Sequence, residues 1–150
     1  MRIAVDFDGT IVEHRYPKIG SPIAFAIDTL LQLQKENHLL ILWTVREGEL
    51  LQEAVDYCAS KGLHFYAANK NNPEENELEA PRKLMADLFI DDRNLGGLPD
   101  WGVIYEVIKS ATKGSFVSYE DMARAAAEKY VEKKKKNFLI RLGEMLEKKN

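Results

Sequence analysis

Cysteine is nearly absent from this chain: Cys58 is the single one in 150 residues. A lone thiol excludes a disulfide framework within the chain and any zinc site built on several cysteines. Its setting between Tyr57 and Ala59, in a helical pattern, reads as packing. Histidine is scarce too, and His14, His38 and His64 fall at spacings that match no metal-ligand motif. No apolar run approaches a membrane span, and no charged start followed by an apolar core marks a secretory signal. These absences lead us to expect a cytoplasmic protein with no membrane association. A G-x-x-x-x-G-K-[ST] phosphate loop is also missing, which leaves Gly96-Gly97 without that role.

What is present is an ordinary globular composition, 45% hydrophobic and 30% charged with a formal net charge of −3. The charge is unevenly placed. Residues 1–128 carry 13 basic and 21 acidic side chains, whereas residues 129–150 carry 8 and 3. A basic tail on an acidic body reads as a solvated helix face, with a docking arm for an anionic partner as the competing use. Lys133–Lys136 lacks the aromatic interleaving of a single-strand binder, so nucleic acid stays open as a partner without being indicated.

The most informative stretch is the start, Met1-Arg2-Ile3-Ala4-Val5-Asp6-Phe7-Asp8-Gly9-Thr10. An apolar strand runs directly into two carboxylates one residue apart. Like charges so close repel unless a cation or proton intervenes. The pattern therefore points to a bound divalent metal, with one carboxylate free for chemistry. Four fixed residues at roughly 6% usage each would give this motif in a chain of this length about twice in a thousand.

Strand and helix signals then alternate, which predicts an α/β fold, a doubly wound (Rossmann-like) parallel sheet flanked by helices. Strands are expected at Arg2–Asp6, His38–Thr44, His64–Ala67 and Ala86–Ile90, with Gly102–Tyr105 as a fifth. Helices are expected from Ser21-Pro22 to Glu36, where cap and proline stand in the usual order, and over Glu47–Lys61, stopped by Gly62. Asn69 to Glu79 reads as a long polar loop. Trp43 and Trp101 read as core residues. Residues 118–150 are helical in pattern, with Phe138, Leu139, Leu142, Met145 and Leu146 forming an apolar stripe. This divides the chain into a catalytic core, 1–110, and a helical extension, 111–150, that packs on the core or on a partner subunit. Asp6/Asp8, Thr44 and Asp91/Asp92 all fall at expected strand ends. In an open parallel sheet the ligand site lies beyond the carboxyl ends of the strands, so motifs distant in sequence share one rim.

Asp6-Phe7-Asp8-Gly9-Thr10, Leu40-Ile41-Leu42-Trp43-Thr44 and Leu88-Phe89-Ile90-Asp91-Asp92 together resemble the first, second and fourth motifs of the haloacid dehalogenase (HAD) superfamily of phosphotransferases and phosphohydrolases. The resemblance covers roughly residues 1–108. Residues 86–93 are also similar to the corresponding segment of the 5′-deoxyribonucleotidases in that superfamily. The resemblance implies a Mg²⁺-dependent phosphomonoesterase in which Asp6 attacks phosphorus to form an aspartyl-phosphate. Asp8 would protonate the leaving oxygen and later deprotonate the water. Mg²⁺, a hard cation suited to oxygen ligands, would be held by Asp6, Asp91 and the backbone carbonyl of Asp8, with Asp92 as a further acid.

Thr44 would donate its hydroxyl to a phosphate oxygen. Arg46 could grip the phosphate or the substrate bidentately, with an ion pair to Glu49 as its competing use. For the third-motif base, Lys83 fits the motif, while Lys70 follows the third strand directly and is its geometric rival. Only 34 residues lie between Thr10 and Val45, and about 18 separate the third and fourth strands, too few for an inserted cap domain. A capless site needs a neighbouring subunit in a homo-oligomer, the Glu13–Gly20 flap or a large phosphorylated substrate to exclude water. The alternative function is a catalytically silent HAD-like or receiver-like binding module with the basic tail as its docking arm.

Overall fold

The computed structural model describes residues 1–76 and 83–113. The chain divides between Tyr105 and Glu106 into two units, and the first holds every strand and every candidate site residue within the described residues.

Strand β1 (Arg2–Val5) is central. Its Ile3, Ala4 and Val5 are fully buried, as expected of a parallel strand covered on both faces. Strand β2 (Leu39–Leu42) pairs with it in parallel from Arg2↔Leu39 to Val5↔Leu42. Strand β3 (Ala67–Ala68) lies outside β2, with Ile41 opposite Ala67. Strand β4 (Leu88–Ile90) pairs with the other side of β1, Ile3↔Leu88 to Val5↔Ile90. The sheet order is therefore β3-β2-β1-β4, all parallel. This is the α/β, Rossmann-like class expected from the sequence. The chain steps outward from β1 to β3, then returns to the far side of β1 for β4. That reversal makes the crevice at the carboxyl ends of β1 and β4 the topological switch point, where such sheets bind ligands.

Helix α1 (Ala26–Lys35) buries Ala26, Leu30 and Leu33, a stripe at helical spacing. Asn37 ends it in the left-handed region, φ 64. The His38 amide bonds the Leu33 carbonyl and the Asn37 amide that of Gln34, a Schellman closure. Helix α2 (Gly48–Ser60) ends in the same way at Gly62, where Leu63 N–H reaches the Cys58 carbonyl and Leu63 is fully buried. Cys58 is buried in α2, and its thiol is pushed up to about 12 by desolvation, which fits the packing role expected of it. Beyond β3, Leu84 packs with Ile41 and Ala67, and Trp43 covers the cluster.

Strand β3 is shorter and later than expected, Ala67–Ala68 in place of His64–Ala67, and two further elements differ from expectation. Helix α1 begins at Ala26 rather than at Ser21-Pro22, because that segment is already engaged. Glu13 N–H bonds the Ser21 carbonyl, Val12 bridges Pro22, and Ile23 N–H bonds the Ile11 carbonyl. The backbone then turns through Phe25 at φ 65 before the helix starts. Gly102–Tyr105 is not a strand but the first turn of helix α3 (Trp101–Thr112). The Asp100 carboxylate accepts the Gly102 N–H at 2.8 Å, a cap, and Trp101, Ile104 and Ile108 are buried at helical spacing. The helical extension at residues 118–150 and its basic tail lie outside the described residues. No helix among the described residues is long and apolar enough to cross a membrane.

The two short segments 11–13 and 21–23 hold the base of a loop over residues 14–20. Gly20 closes it: a β-carbon there would stand 2.0 Å from the Glu13 carbonyl oxygen. Gly20→Ala must push two backbones apart, a strain of about 1–3 kcal/mol by analogy with overpacked sites. Urea unfolding should show a lower midpoint with an unchanged slope, and an unchanged midpoint would show that the loop base yields freely.

Candidate active site

The rim is built by continuing the sheet's hydrogen bonds one residue past each strand. Asp6 N–H bonds the Ile90 carbonyl at 2.9 Å, Trp43 N–H the Val5 carbonyl at 2.8 Å, and Asn69 N–H the Leu42 carbonyl at 2.8 Å. Asp6, Trp43-Thr44, Asn69 and Asp91 thus follow adjacent strands at one edge. After Asp6 the chain turns at once, and the amides of Thr10, Ile11 and Val12 all point to the Phe7 carbonyl. Gly9 sits at φ +93, and a β-carbon there would lie 2.3 Å from Asp92 Oδ2 and 2.7 Å from its Cγ. Glycine at this position lets the carboxylate of β4's loop come down onto the turn after β1.

Three carboxylates converge there. Asp6, Asp91 and Asp92 each present an oxygen, and these atoms lie within 4.8 Å of one another. Thr10, fully buried, links them: its hydroxyl donates to Asp6 Oδ2 at 3.3 Å and accepts the Asp92 N–H at 3.1 Å. Trp101 fixes Thr10 in turn, donating its indole N–H to the Thr10 carbonyl at 3.2 Å. Asp91 Oδ1 accepts the Arg93 N–H at 2.8 Å, while Asp92 Oδ1 is buried with no hydrogen-bond partner.

The electrostatics follow from crowding. Burial, followed by the charges of Asp91 and Asp92, pushes Asp6 up to about 7 against the opposing pull of the Phe7 backbone and the Thr10 hydroxyl. Asp92 is raised by desolvation and by Asp91. An all-oxygen donor set, an orphaned buried carboxylate oxygen and mutually destabilised charges suit a hard divalent cation. The residues present fit Mg²⁺.

The other candidate residues are distributed differently from expectation. The Asp8 carboxylate is not a member of the acidic group; it is 4% exposed and faces Arg46. Arg46 is not open to a phosphate as expected, nor paired with Glu49. It is fully buried, donating from Nε to Asp8 Oδ2 at 2.7 Å and from NH2 to Asp8 Oδ1 at 2.8 Å. A strand-end arginine two residues past Thr44 gives no sequence signal of which carboxylate it will meet.

Thr44 is half-buried at the rim, with its N–H on Asn69 Oδ1 at 2.8 Å and its hydroxyl accepting the Arg46 N–H at 3.3 Å. Asn69 also donates to the Arg46 carbonyl at 3.0 Å, so it splints the loop after β2. Neither Asn69 nor Thr10 was singled out from sequence. Thr10 stood inside the first motif; Asn69 had no signal beyond its place after β3.

Lys83 places its ammonium 5.8 Å from the centre of the Phe89 ring, and Phe89 precedes Asp91 by two residues, about 7 Å of strand. After Lys83 the chain is tied down by Met85 N–H on Asn71 Oδ1 and by a tight turn in which Ala86 N–H bonds the Leu84 carbonyl. Lys70 is half-buried, and its charge acts on Glu75, helping to lower it after the Asn71 hydrogen bonds.

No protein-family model matches the chain, and no curated protein does. A solved structure does: that of the conserved protein coded by locus from Bacteroides thetaiotaomicron, 61% identical, with a TM-score of 0.73. The match covers 81% of this chain and 96% of that one. The chain belongs to the family of that Bacteroides protein. The TM-score over nearly the whole relative shows that the two chains share a fold.

The acidic group makes a pH prediction. Asp6 holds its proton up to about 7 in the native state against 3.8 ordinarily. Its contribution to stability is therefore fully present below pH 4 and is lost as pH rises through the native value. At about 1.4 kcal/mol per tenfold change in proton affinity, the loss between those limits is on the order of 4 kcal/mol. Thermal unfolding in chelator should show stability falling across that window, with Mg²⁺ restoring it at pH 7 and above and Asp6→Asn flattening the slope. A metal-insensitive, pH-flat wild type would refute the cation site.

Proposed function

We propose that this chain is a Mg²⁺-dependent phosphomonoesterase of the HAD superfamily, acting through an aspartyl-phosphate on Asp6. The observation that carries the reading is the convergence of Asp6, Asp91 and Asp92 at the β1/β4 switch point, with Asp8 two residues beyond Asp6. Asp6, Asp91 and the Asp8 backbone carbonyl would hold the ion, which when bound offsets the negative charge of carboxylates and phosphate.

The chain's own residues then carry each step. An Asp6 carboxylate oxygen attacks phosphorus, the ester P–O bond breaks, and Asp8 gives its proton to the departing alcohol oxygen. Water next attacks the aspartyl-phosphate, passing a proton back to Asp8, and the bond from Asp6 to phosphorus breaks to release phosphate. The Thr10 hydroxyl, bonded to Asp6 Oδ2, orients the nucleophile. The Thr44 hydroxyl and a lysine, Lys83 or Lys70, would bind the phosphate oxygens. The enzyme is favoured over a silent scaffold because all the motif acids, Asp6, Asp8, Asp91 and Asp92, are present.

Phosphate release from p-nitrophenyl phosphate, with and without Mg²⁺, tests this. Metal-dependent release should vanish in Asp6→Asn, by at least 10³-fold as for loss of a nucleophile, while circular dichroism stays native. Residual activity within tenfold of wild type would sink the mechanism. Of Lys70→Ala and Lys83→Ala, the variant that leaves the rate unchanged is not the phosphate clamp.

A further inference from the structure

Arg46 is among the largest fully buried side chains, and its charge is held by two distant parts of the chain. Two of its hydrogen bonds go to Asp8, as described. Two more go to main-chain oxygens of the 14–20 loop: NH1 to the Pro17 carbonyl at 2.9 Å and NH2 to the Lys18 carbonyl at 3.0 Å. Four guanidinium hydrogen bonds are thus made out of the five its N–H groups can donate. The Phe7 ring centre lies 5.0 Å from the guanidinium carbon and that of Tyr16 5.4 Å away. A buried ion pair is a poor source of net stability, because desolvation offsets the attraction. Its usual value is geometric: it leaves the paired group one orientation.

We propose that Arg46 is the positioning residue of this site, clamping the Asp8 carboxylate and tying its orientation to the Tyr16–Lys18 segment through the Pro17 and Lys18 carbonyls. Each Asp8 oxygen accepts one bond from Arg46, and a carboxyl oxygen has a second lone-pair site, which can carry the proton given to the leaving group. A loop displaced by even an ångström would release two of the four bonds and let the acid swing. The flap that a capless site requires is thereby connected to the acid that the leaving group requires. The catalytic half of this proposal rests on the phosphatase reading; the structural half, that Arg46 holds the loop, does not.

The test uses Arg46→Lys, which keeps the charge but not the fork, and Arg46→Gln; if the glutamine variant fails to fold, the lysine variant decides. Phosphate release is measured on phenyl phosphate, whose phenolate leaves poorly without a proton, and on p-nitrophenyl phosphate, whose leaving group needs less help. The expected result is a fall in kcat/KM on phenyl phosphate of about 100-fold, as for a displaced general acid. That fall should be at least fivefold larger than the fall in kcat/KM on p-nitrophenyl phosphate, because only the first step expels the leaving group. Trypsin cleavage after the exposed Lys18, relative to cleavage after the exposed Lys61 in the same molecule, should rise at least threefold. An equal loss on the two esters, or an unchanged cleavage ratio, overturns the proposal. If the wild type releases phosphate from neither ester, the phosphatase reading falls. The loop strut then stands or falls on the cleavage ratio alone.

Discussion

Three like charges held together at the ends of two neighbouring strands are the constraint around which this molecule is arranged. Asp6 leaves the central strand and Asp91 and Asp92 leave the strand beside it, and parallel pairing brings their carboxylates within hydrogen-bonding distance of one shared point. Such a group opposes folding unless its charge is screened, protonated or neutralised. The chain responds with local devices that need almost no space. Gly9 removes the β-carbon that would strike Asp92, Thr10 bridges Asp6 to the Asp92 amide, and Trp101 buttresses Thr10 from behind. What these leave unsatisfied, a buried oxygen and an elevated Asp6, is a demand that a bound cation would meet.

The neighbouring acid is treated in the opposite manner. Asp8 lies two residues beyond Asp6, where the chain has already turned onto the Phe7 carbonyl and left the strand. There it meets Arg46 in a buried ion pair. Two carboxylates close in sequence therefore occupy different electrostatic environments, one crowded by negative charge and one matched by a positive charge. Divergent environments of this kind are how a site gives two chemically identical groups separate roles.

The parts of this architecture that were legible in the sequence are those encoded over a few adjacent residues. The apolar run into Asp6, the second run into Thr44 and the third into Asp91-Asp92 each announce a buried strand with a polar end, and each is found near its expected place. The end of α1 near Glu36 and the stop of α2 at Gly62 were legible too, the latter from local backbone preference. The start of α1 and the whole of α3 were less legible. Ser21-Pro22 has the chemistry of a cap, yet it is taken up by pairing with residues 11–13. Gly102–Tyr105 is as apolar as a strand when read over four residues, and only its continuation to Ile108 shows the helical period.

By itself, the sequence determined the class of fold, the rim on which polar strand ends gather, and the acids that meet there, because each depends on short-range patterning and on the geometry common to all parallel sheets. Only the tertiary structure decided which partner each charge takes. Arg46 lies two residues from Thr44 but bonds an acid 38 residues away and carbonyls 28 and 29 residues away. Thr10 bonds the amide of a residue 82 positions distant. A long side chain at a strand end can reach several groups, and burial selects among them by requiring that every charge and donor removed from water find a match. That requirement is set by the packed whole, which no local stretch of the chain contains.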